Sequence, residues 1–263
     1  MTVPTPLQVL ITRPLPHGAE LCREVNKSGY VAISFPTIVF APPSDVTQFK
    51  QGIAQLGEQD WLIFISPQAA AAALPPLHKA WPHLPDSVKF AAVGAKTAQI
   101  VKEAGYTVSA FPPIEGGSEA LLAMPVWQEV RNKKIAIISG GEGRQLLEQS
   151  FRERGAHVIQ VTAYQRQLPK VEVSAYRDLI EKRQIHAIVC TSFEGVRNLK
   201  TLLSDCWLLL KKIPLIVVSE RIKILAHDLG FQTIWVAAGA SHEAIIKILT
   251  QVKDELWQKK SSP

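Results

Sequence analysis

The chain is poor in the residues and patterns that mark redox, metal, membrane or nucleotide chemistry. Only three of its 263 residues are cysteine. Cys22, Cys190 and Cys206 are odd in number and scattered, which argues against a disulfide framework or a zinc site and for buried free thiols. The seven histidines show no metal-ligand spacing either. No window approaches the ~18 uninterrupted apolar residues of a membrane span. The start, Met1-Thr2-Val3-Pro4-Thr5-Pro6, has neither a basic n-region nor an apolar h-region. The expectation is a soluble cytoplasmic protein without a membrane partner. No basic run is interleaved with aromatics, and no helix-turn-helix or zinc signature appears, so no nucleic-acid partner is expected. Gly140-Gly141-Glu142-Gly143-Arg144 lacks the spacing of a dinucleotide loop and no Walker lysine is present. No Ser or Cys sits in a nucleophile elbow, and no strand end carries a pair of acids. Chemistry here should depend on positioning more than on strong acids, bases or metals.

What is present is repetition. Phe64-Ile65-Ser66 leads into an alanine-rich helix, and Cys190-Thr191-Ser192 leads into a second helix about 126 residues later. Ala91-Ala92-Val93-Gly94 opens a helix that stops at Gly105. Ile216-Val217-Val218-Ser219 opens one that stops at Gly230. A weaker echo links Val9–Arg13, with a helix ending near Gly29, to Ile135–Ser139, with a helix ending near Gly155. A period this long means two copies of a domain, since solenoid units run roughly 20 to 50 residues.

Short apolar runs alternate with helical stretches along the chain. The runs are apolar on both faces, as buried strands of a parallel sheet are. The alternation implies two doubly wound α/β domains built from βαβ units. Two linker-like stretches interrupt it, Ile38–Ser44 with Pro42-Pro43, and Gln165–Val173 with Pro169. The repeat alone places a boundary near residue 126. The linkers instead suggest that a middle segment, about 42–166, is inserted in the other domain. The sequence is compatible with both divisions.

Formal charge is +6, unevenly placed: residues 1–126 hold 8 Lys+Arg against 9 Asp+Glu, and residues 127–263 hold 21 against 14. A solvated surface accounts for much of this. The basic balance also favours approach of a polyanion.

Ligands of open α/β sheets sit beyond the carboxyl ends of the strands. Those ends read Thr12-Arg13-Pro14, Ser66-Pro67, Gly94 to Thr97, Ser139 to Arg144, Thr191-Ser192 and Ser219-Glu220-Arg221. All are small or hydroxylic and all precede helices, whose free N–H groups favour anions. Each hydroxyl is equally well read as an ordinary N-cap. Gly140 to Arg144 reads as a flexible turn bringing backbone amides and Arg144 to a carboxylate, or as a plain turn with Arg144 in solvent. Tyr164 follows a strand where the second linker begins. Its phenol, able to donate a proton without carrying charge, faces an interdomain cleft or packs at the junction.

These pieces, in this order, resemble uroporphyrinogen-III synthase across nearly the whole chain. They are Ile11-Thr12-Arg13-Pro14, Phe35-Pro36, Ser66-Pro67-Gln68-Ala69, Ala92-Val93-Gly94 with Thr97-Ala98, Ser118 to Leu122, Gly140 to Arg144, Gly155-Ala156, Tyr164-Gln165-Arg166, Thr191-Ser192 and Val218 to Arg221. The resemblance implies two α/β domains joined by a two-stranded linker, the second inserted in the first: 1–37 with 171–263, and 42–166, with linkers 38–41 and 167–170. It implies cyclisation of linear hydroxymethylbilane to uroporphyrinogen III, with loss of water and inversion of the last pyrrole ring, and no cofactor. The expected catalytic residue is Tyr164. The expected carboxylate contacts are Arg13, Ser66, Gly94, Thr97, Gly140, Gly141, Arg144, Thr191, Ser192, Ser219 and Arg221. A monomer is expected, with transient handover from the preceding pathway enzyme. The chain departs from the family at Ser139, often Arg, at Ile65, often Thr, and around Ser219 and Ile222. The rival reading is a non-catalytic two-domain sensor of anionic small molecules.

Overall fold

A computed structural model describes residues 6–114, 116–141 and 145–261, the last five of these without their side chains. The first strands and helices are β1 (Gln8–Ile11), α1 (His17–Lys27), β2 (Val31–Ser34), β3 (Val39–Ala41) and α2 (Val46–Ala54). Next come β4 (Trp61–Phe64), α3 (Pro67–Ala80), β5 (Lys89–Ala92), α4 (Ala95–Glu103), β6 (Val108–Ala110) and α5 (Ser118–Leu122). Then follow β7 (Lys134–Ser139), α6 (Leu146–Glu153), β8 (His157–Thr162), β9 (Gln165–Gln167) and α7 (Ser174–Glu181). The chain closes with β10 (Ala187–Val189), α8 (Phe193–Leu202), α9 (Trp207–Leu210), β11 (Leu215–Val217), α10 (Glu220–Asp228), β12 (Ile234–Val236) and α11 (His242–Ser261).

The chain divides into two compact units, residues 1–39 with 167–263, and residues 40–166. Each holds a five-stranded parallel sheet. The order is β12-β11-β10-β1-β2 in the first unit and β6-β5-β4-β7-β8 in the second. β3 and β9 pair separately as a two-stranded ribbon. If β7 and β8 of the second unit are counted before β4, β5 and β6, the two sheets have the same order. The units are therefore circular permutants of one topology. This explains the sequence repeat: β1 echoes β7, β10 echoes β4 and β11 echoes β5.

The strands form because they are apolar on both faces, and the sheet alternation deals those faces to two cores. In β4, Leu62 and Phe64 enter one core with the α3 side chains Ala69, Ala70, Ala73 and Leu77. Trp61 and Ile63 enter the other with Trp127, Leu147 and Phe151. In β10, Ile188 faces Val196 and Leu199 of α8, while Ala187 and Val189 face the core that includes Ile245 and Leu249 of α11. Burying a side chain of this size is worth about 1.5–3 kcal/mol before the entropy cost of ordering it. Equivalent helices also end alike: Gly105 and Gly230 adopt φ of 91° and 102°, the left-handed turn that leaves a helix after α4 and α10. Among the described residues, no helix is long and apolar enough to cross a membrane.

Candidate functional site

Because all strands of a sheet run parallel, their carboxyl ends share one edge in each unit. The topological switch point, where the winding of the sheet reverses, lies between β4 and β7 in the second unit and between β1 and β10 in the first. It is where an open α/β sheet leaves a crevice.

In the second unit the crevice is occupied by Tyr164 and its neighbours. The Tyr164 ring is 5% exposed and lies edge-on to Phe40 at 5.4 Å between centroids. Its Oη is 3.2 Å from Ser66 Oγ. Ser66 is the N-cap of α3, its backbone extended, and its Oγ accepts the Ala69 N–H at 3.0 Å. Gly140 presses on the ring: a Cβ there would lie 2.4 Å from Tyr164 Cζ and 2.8 Å from Oη. Gly141, at φ 78°, donates its N–H to Ser139 Oγ at 3.3 Å. Tyr164 also lines a cavity of about 430 Å³ with Phe40, Pro42, Pro43, Phe49 and Gln68. Gln165 Nε2 donates to the Pro42 carbonyl at 2.9 Å and so holds one wall of that cavity to β9.

A second cavity, about 450 Å³, opens at the ends of β4, β5 and β7. Ile65, Val93, Gly117, Ser139 and Gly141 line it, together with the carboxylates of Glu119 and Glu148. Gly94 packs against Gly116 so closely that a Cβ on Gly94 would stand 3.2 Å from the Gly116 Cα. Gly117 donates its N–H to the Val93 carbonyl at 2.7 Å. Glu148 is held by Arg152 at 2.7 Å and by Gln160 Nε2. This partly neutralises a carboxylate where a polyanion would otherwise meet repulsion. Gly116, Gly117, Glu148 and Gln160 escape the sequence reading, although the Gly116-Gly117 pair ahead of a helix was a usable signal. Thr97 sits in the first turn of α4 at 3% exposure, sheltered from a ligand approaching through solvent. Arg144, with Glu142 and Gly143, lies outside the described residues.

The first unit carries the matching edge. Thr12 is buried and its Oγ1 donates to the Val189 carbonyl at 2.9 Å, tying β1 to β10. Arg13 reaches the Ala240 carbonyl at 3.3 Å through Nη1, and burial pulls its guanidinium below the ordinary arginine value, with Glu20 opposing. Ser192 and Ser219 cap α8 and α10, accepting the Gly195 and Ile222 N–H groups at 3.1 and 3.4 Å. Capping uses each hydroxyl oxygen as an acceptor and leaves its proton available to a carboxylate. The cap reading and the ligand reading are therefore compatible. Thr191 is half-buried beside Ser192, and Arg221 is exposed. Cys190 is buried, which raises its thiol above the ordinary value, with its hydrogen bonding to Thr12 and Ser192 opposing. Among the described residues no group of His, Cys, Asp and Glu could hold a metal ion.

The family model described as uroporphyrinogen-III synthase HemD matches residues 19–247. The uroporphyrinogen-III synthase of Escherichia coli (strain K12) is 34% identical over 250 residues, covering 92% of this chain and all of that protein. That of Salmonella typhimurium is 33% identical over 251 residues, again 92% of this chain and all of the relative. In fold, the chain is similar to a crystal structure of a mutant uroporphyrinogen III synthase from the extremely thermophilic bacterium Thermus thermophilus. The TM-score is 0.65 at 17% identity, covering 95% of this chain and 99% of that one. The uroporphyrinogen-III synthetase of Helicobacter pylori 26695 superposes with a TM-score of 0.57 at 13% identity, over 94% of this chain and 99% of its own. Family match, relatives and fold agree: the chain belongs to the uroporphyrinogen-III synthase family.

Proposed function

We propose that this chain closes linear hydroxymethylbilane to uroporphyrinogen III, with loss of water and inversion of the last pyrrole ring, in haem biosynthesis. The observation that carries the site is the Tyr164 phenol, set on Ser66 at the switch point of the second sheet and lining a cavity of about 430 Å³. Tyr164 gives its proton to the departing terminal hydroxyl. The substituted carbon of the last ring attacks the resulting azafulvene, and the spiro intermediate fragments and recloses with that ring turned over. The linear tetrapyrrole also closes unaided to the symmetric isomer, so the protein's task is chiefly geometric. Holding reacting ends together is worth roughly 7–11 kcal/mol in favourable intramolecular cases.

The substrate carries eight carboxylates. In the second unit Gly94, Gly140, Gly141 and Arg144 are its proposed contacts, with Thr97 behind them in α4 and Ser66 reaching the substrate only through Tyr164. In the first unit they are Arg13, Thr191, Ser192, Ser219 and Arg221. We take residues 1–37 with 171–263 and residues 42–166 as the working domains, joined by linkers 38–41 and 167–170. The protein acts as a cytoplasmic monomer that receives its labile substrate from the enzyme that makes it. No relative named above is a ligand sensor, and the sensor reading has no support.

The deciding assay incubates the protein with hydroxymethylbilane and resolves the type III and type I porphyrinogens. Excess type III over the unaided reaction is expected, and type I alone would refute the function. Tyr164→Phe should slow type III formation about fivefold, the worth of one ordinary hydrogen bond of ~1 kcal/mol. Its unfolding midpoint should stay near that of the parent, and an unchanged rate would remove the acid role.

A further inference from the structure

We infer that Ser66 is a positioning residue that aims the Tyr164 proton and receives the charge left behind when that proton departs. The inference rests on the acid role proposed for Tyr164. Three contacts carry it. Ser66 Oγ accepts the Ala69 N–H at 3.0 Å, so one lone pair is committed to the helix. The same oxygen lies 3.2 Å from Tyr164 Oη, the only hydrogen-bond partner that the described side chains offer the phenol. Gly140 lies against the ring at a distance that no Cβ could occupy.

With its oxygen already accepting from Ala69, Ser66 is best placed to donate its own proton to Tyr164 Oη. The phenol proton is then turned away from Ser66, toward the cavity that Tyr164 lines. As the terminal C–O bond breaks, its electron pair stays with the departing oxygen, which takes the Tyr164 proton and leaves as water. The negative charge on Oη is met by the Ser66 hydroxyl. Through the cap it is also met by the amino end of α3, a helix of 14 residues whose dipole favours negative charge there. The cation left on the substrate then returns its pyrrole N–H proton to the phenolate, giving neutral azafulvene. No oxidant, metal or further acid is needed for that balance.

The test must separate aiming the phenol from merely capping α3. Ser66→Asp does this, because a carboxylate caps a helix well but can only accept. It would hold the phenol proton on Tyr164 and oppose the phenolate. Five variants, Ser66→Ala, Ser66→Asp, Ser66→Thr, Tyr164→Phe and Ser66→Ala with Tyr164→Phe, are assayed with hydroxymethylbilane, and their unfolding midpoints are measured alongside. Ser66→Ala should lower kcat about fivefold with KM within about twofold. Ser66→Asp should be at least as slow despite a parental midpoint, and Ser66→Thr should recover most of the rate. In the Tyr164→Phe background, Ser66→Ala should cost nothing further, because its effect runs through the phenol. Parental kcat in Ser66→Asp, or multiplied losses in the double variant, would overturn the positioning role while leaving Tyr164 as the acid. Full rate in Tyr164→Phe alone would overturn both.

Discussion

Replacing Gly140 by alanine tests whether the Tyr164 ring is held by backbone contact. The added Cβ would stand 2.4 Å from Cζ, 2.7 Å from Cε2 and 2.8 Å from Oη of Tyr164. Ordinary contact begins near 3.4 Å, so ring or turn must yield by about 1 Å. Gly140 is not among the positive-φ glycines, so alanine meets no backbone strain there and the collision is the whole effect. The ring has little room to retreat, being 5% exposed with its edge against Phe40. Overpacking of this kind costs about 1–3 kcal/mol, and a shift of the ring also stretches its bond to Ser66, worth ~1 kcal/mol. Urea unfolding should therefore show a loss of about 2–4 kcal/mol, or roughly 5–15 °C in midpoint for a chain of this size. Type III formation should fall with it, since the phenol leaves its aim. The decisive comparison is with Tyr164→Leu: in that background Gly140→Ala should cost under about 0.5 kcal/mol, because the obstructing ring is gone. Equal losses in both backgrounds would refute the claim that Gly140 is a seat for Tyr164.

Three further outcomes are expected. Arg144→Ala should raise KM more than it lowers kcat if Arg144 holds a substrate carboxylate, as proposed, and takes no part in the bond changes; identical constants in both proteins would count against that role. Arg152→Ala leaves the Glu148 carboxylate less compensated beside a cavity proposed to meet a polyanion. As Arg152 is 59% exposed, the rise in KM should be only about two- to fivefold and should shrink in high salt, and a salt-independent change would count against it. Burial raises the thiols of Cys22, Cys190 and Cys206. Their neutral forms therefore favour the fold up to the ordinary thiol value of ~8.5, and that contribution fades as the pH climbs past it toward the raised folded values. A thiol reagent at pH 8 should find Cys190 slow in native protein and all three fast in denaturant. Rapid native labelling of Cys190 would contradict its burial.

Much of the fold was legible from local pattern. Buried parallel strands must be apolar on both faces, so Trp61–Ile65, Ile135–Ile138, Ala187–Cys190 and Pro214–Val218 announced themselves, within a residue or so of the strands that form. The glycines at 105 and 230 marked helix ends, because only a residue without Cβ takes that turn freely. The ribbon of β3 and β9 was different. Gln165-Arg166-Gln167 has no apolar alternation, and its strand character comes from a partner more than a hundred residues away. The same holds for the site. Ser66 and Tyr164 could each be named from their places at strand ends, and Gly140 from its turn. That Ser66 meets the phenol across 98 residues of chain, and that Gly140 is small because a ring lies against it, follows from how β4, β7 and β8 lie side by side.

By itself, then, the order of residues determined two repeated α/β units, their caps and the small, hydroxylic character of the strand ends, because those depend on neighbours in sequence. Tertiary structure alone decided that the two sheets are permuted copies of one another. It also decided that Gly116 packs against Gly94 while Gly117 bonds to the Val93 carbonyl, that Gln160 reaches Glu148 from the neighbouring strand, and that a capping serine touches the proposed acid. Such contacts join residues that no local period relates, and only the packing of strands and helices sets their distances.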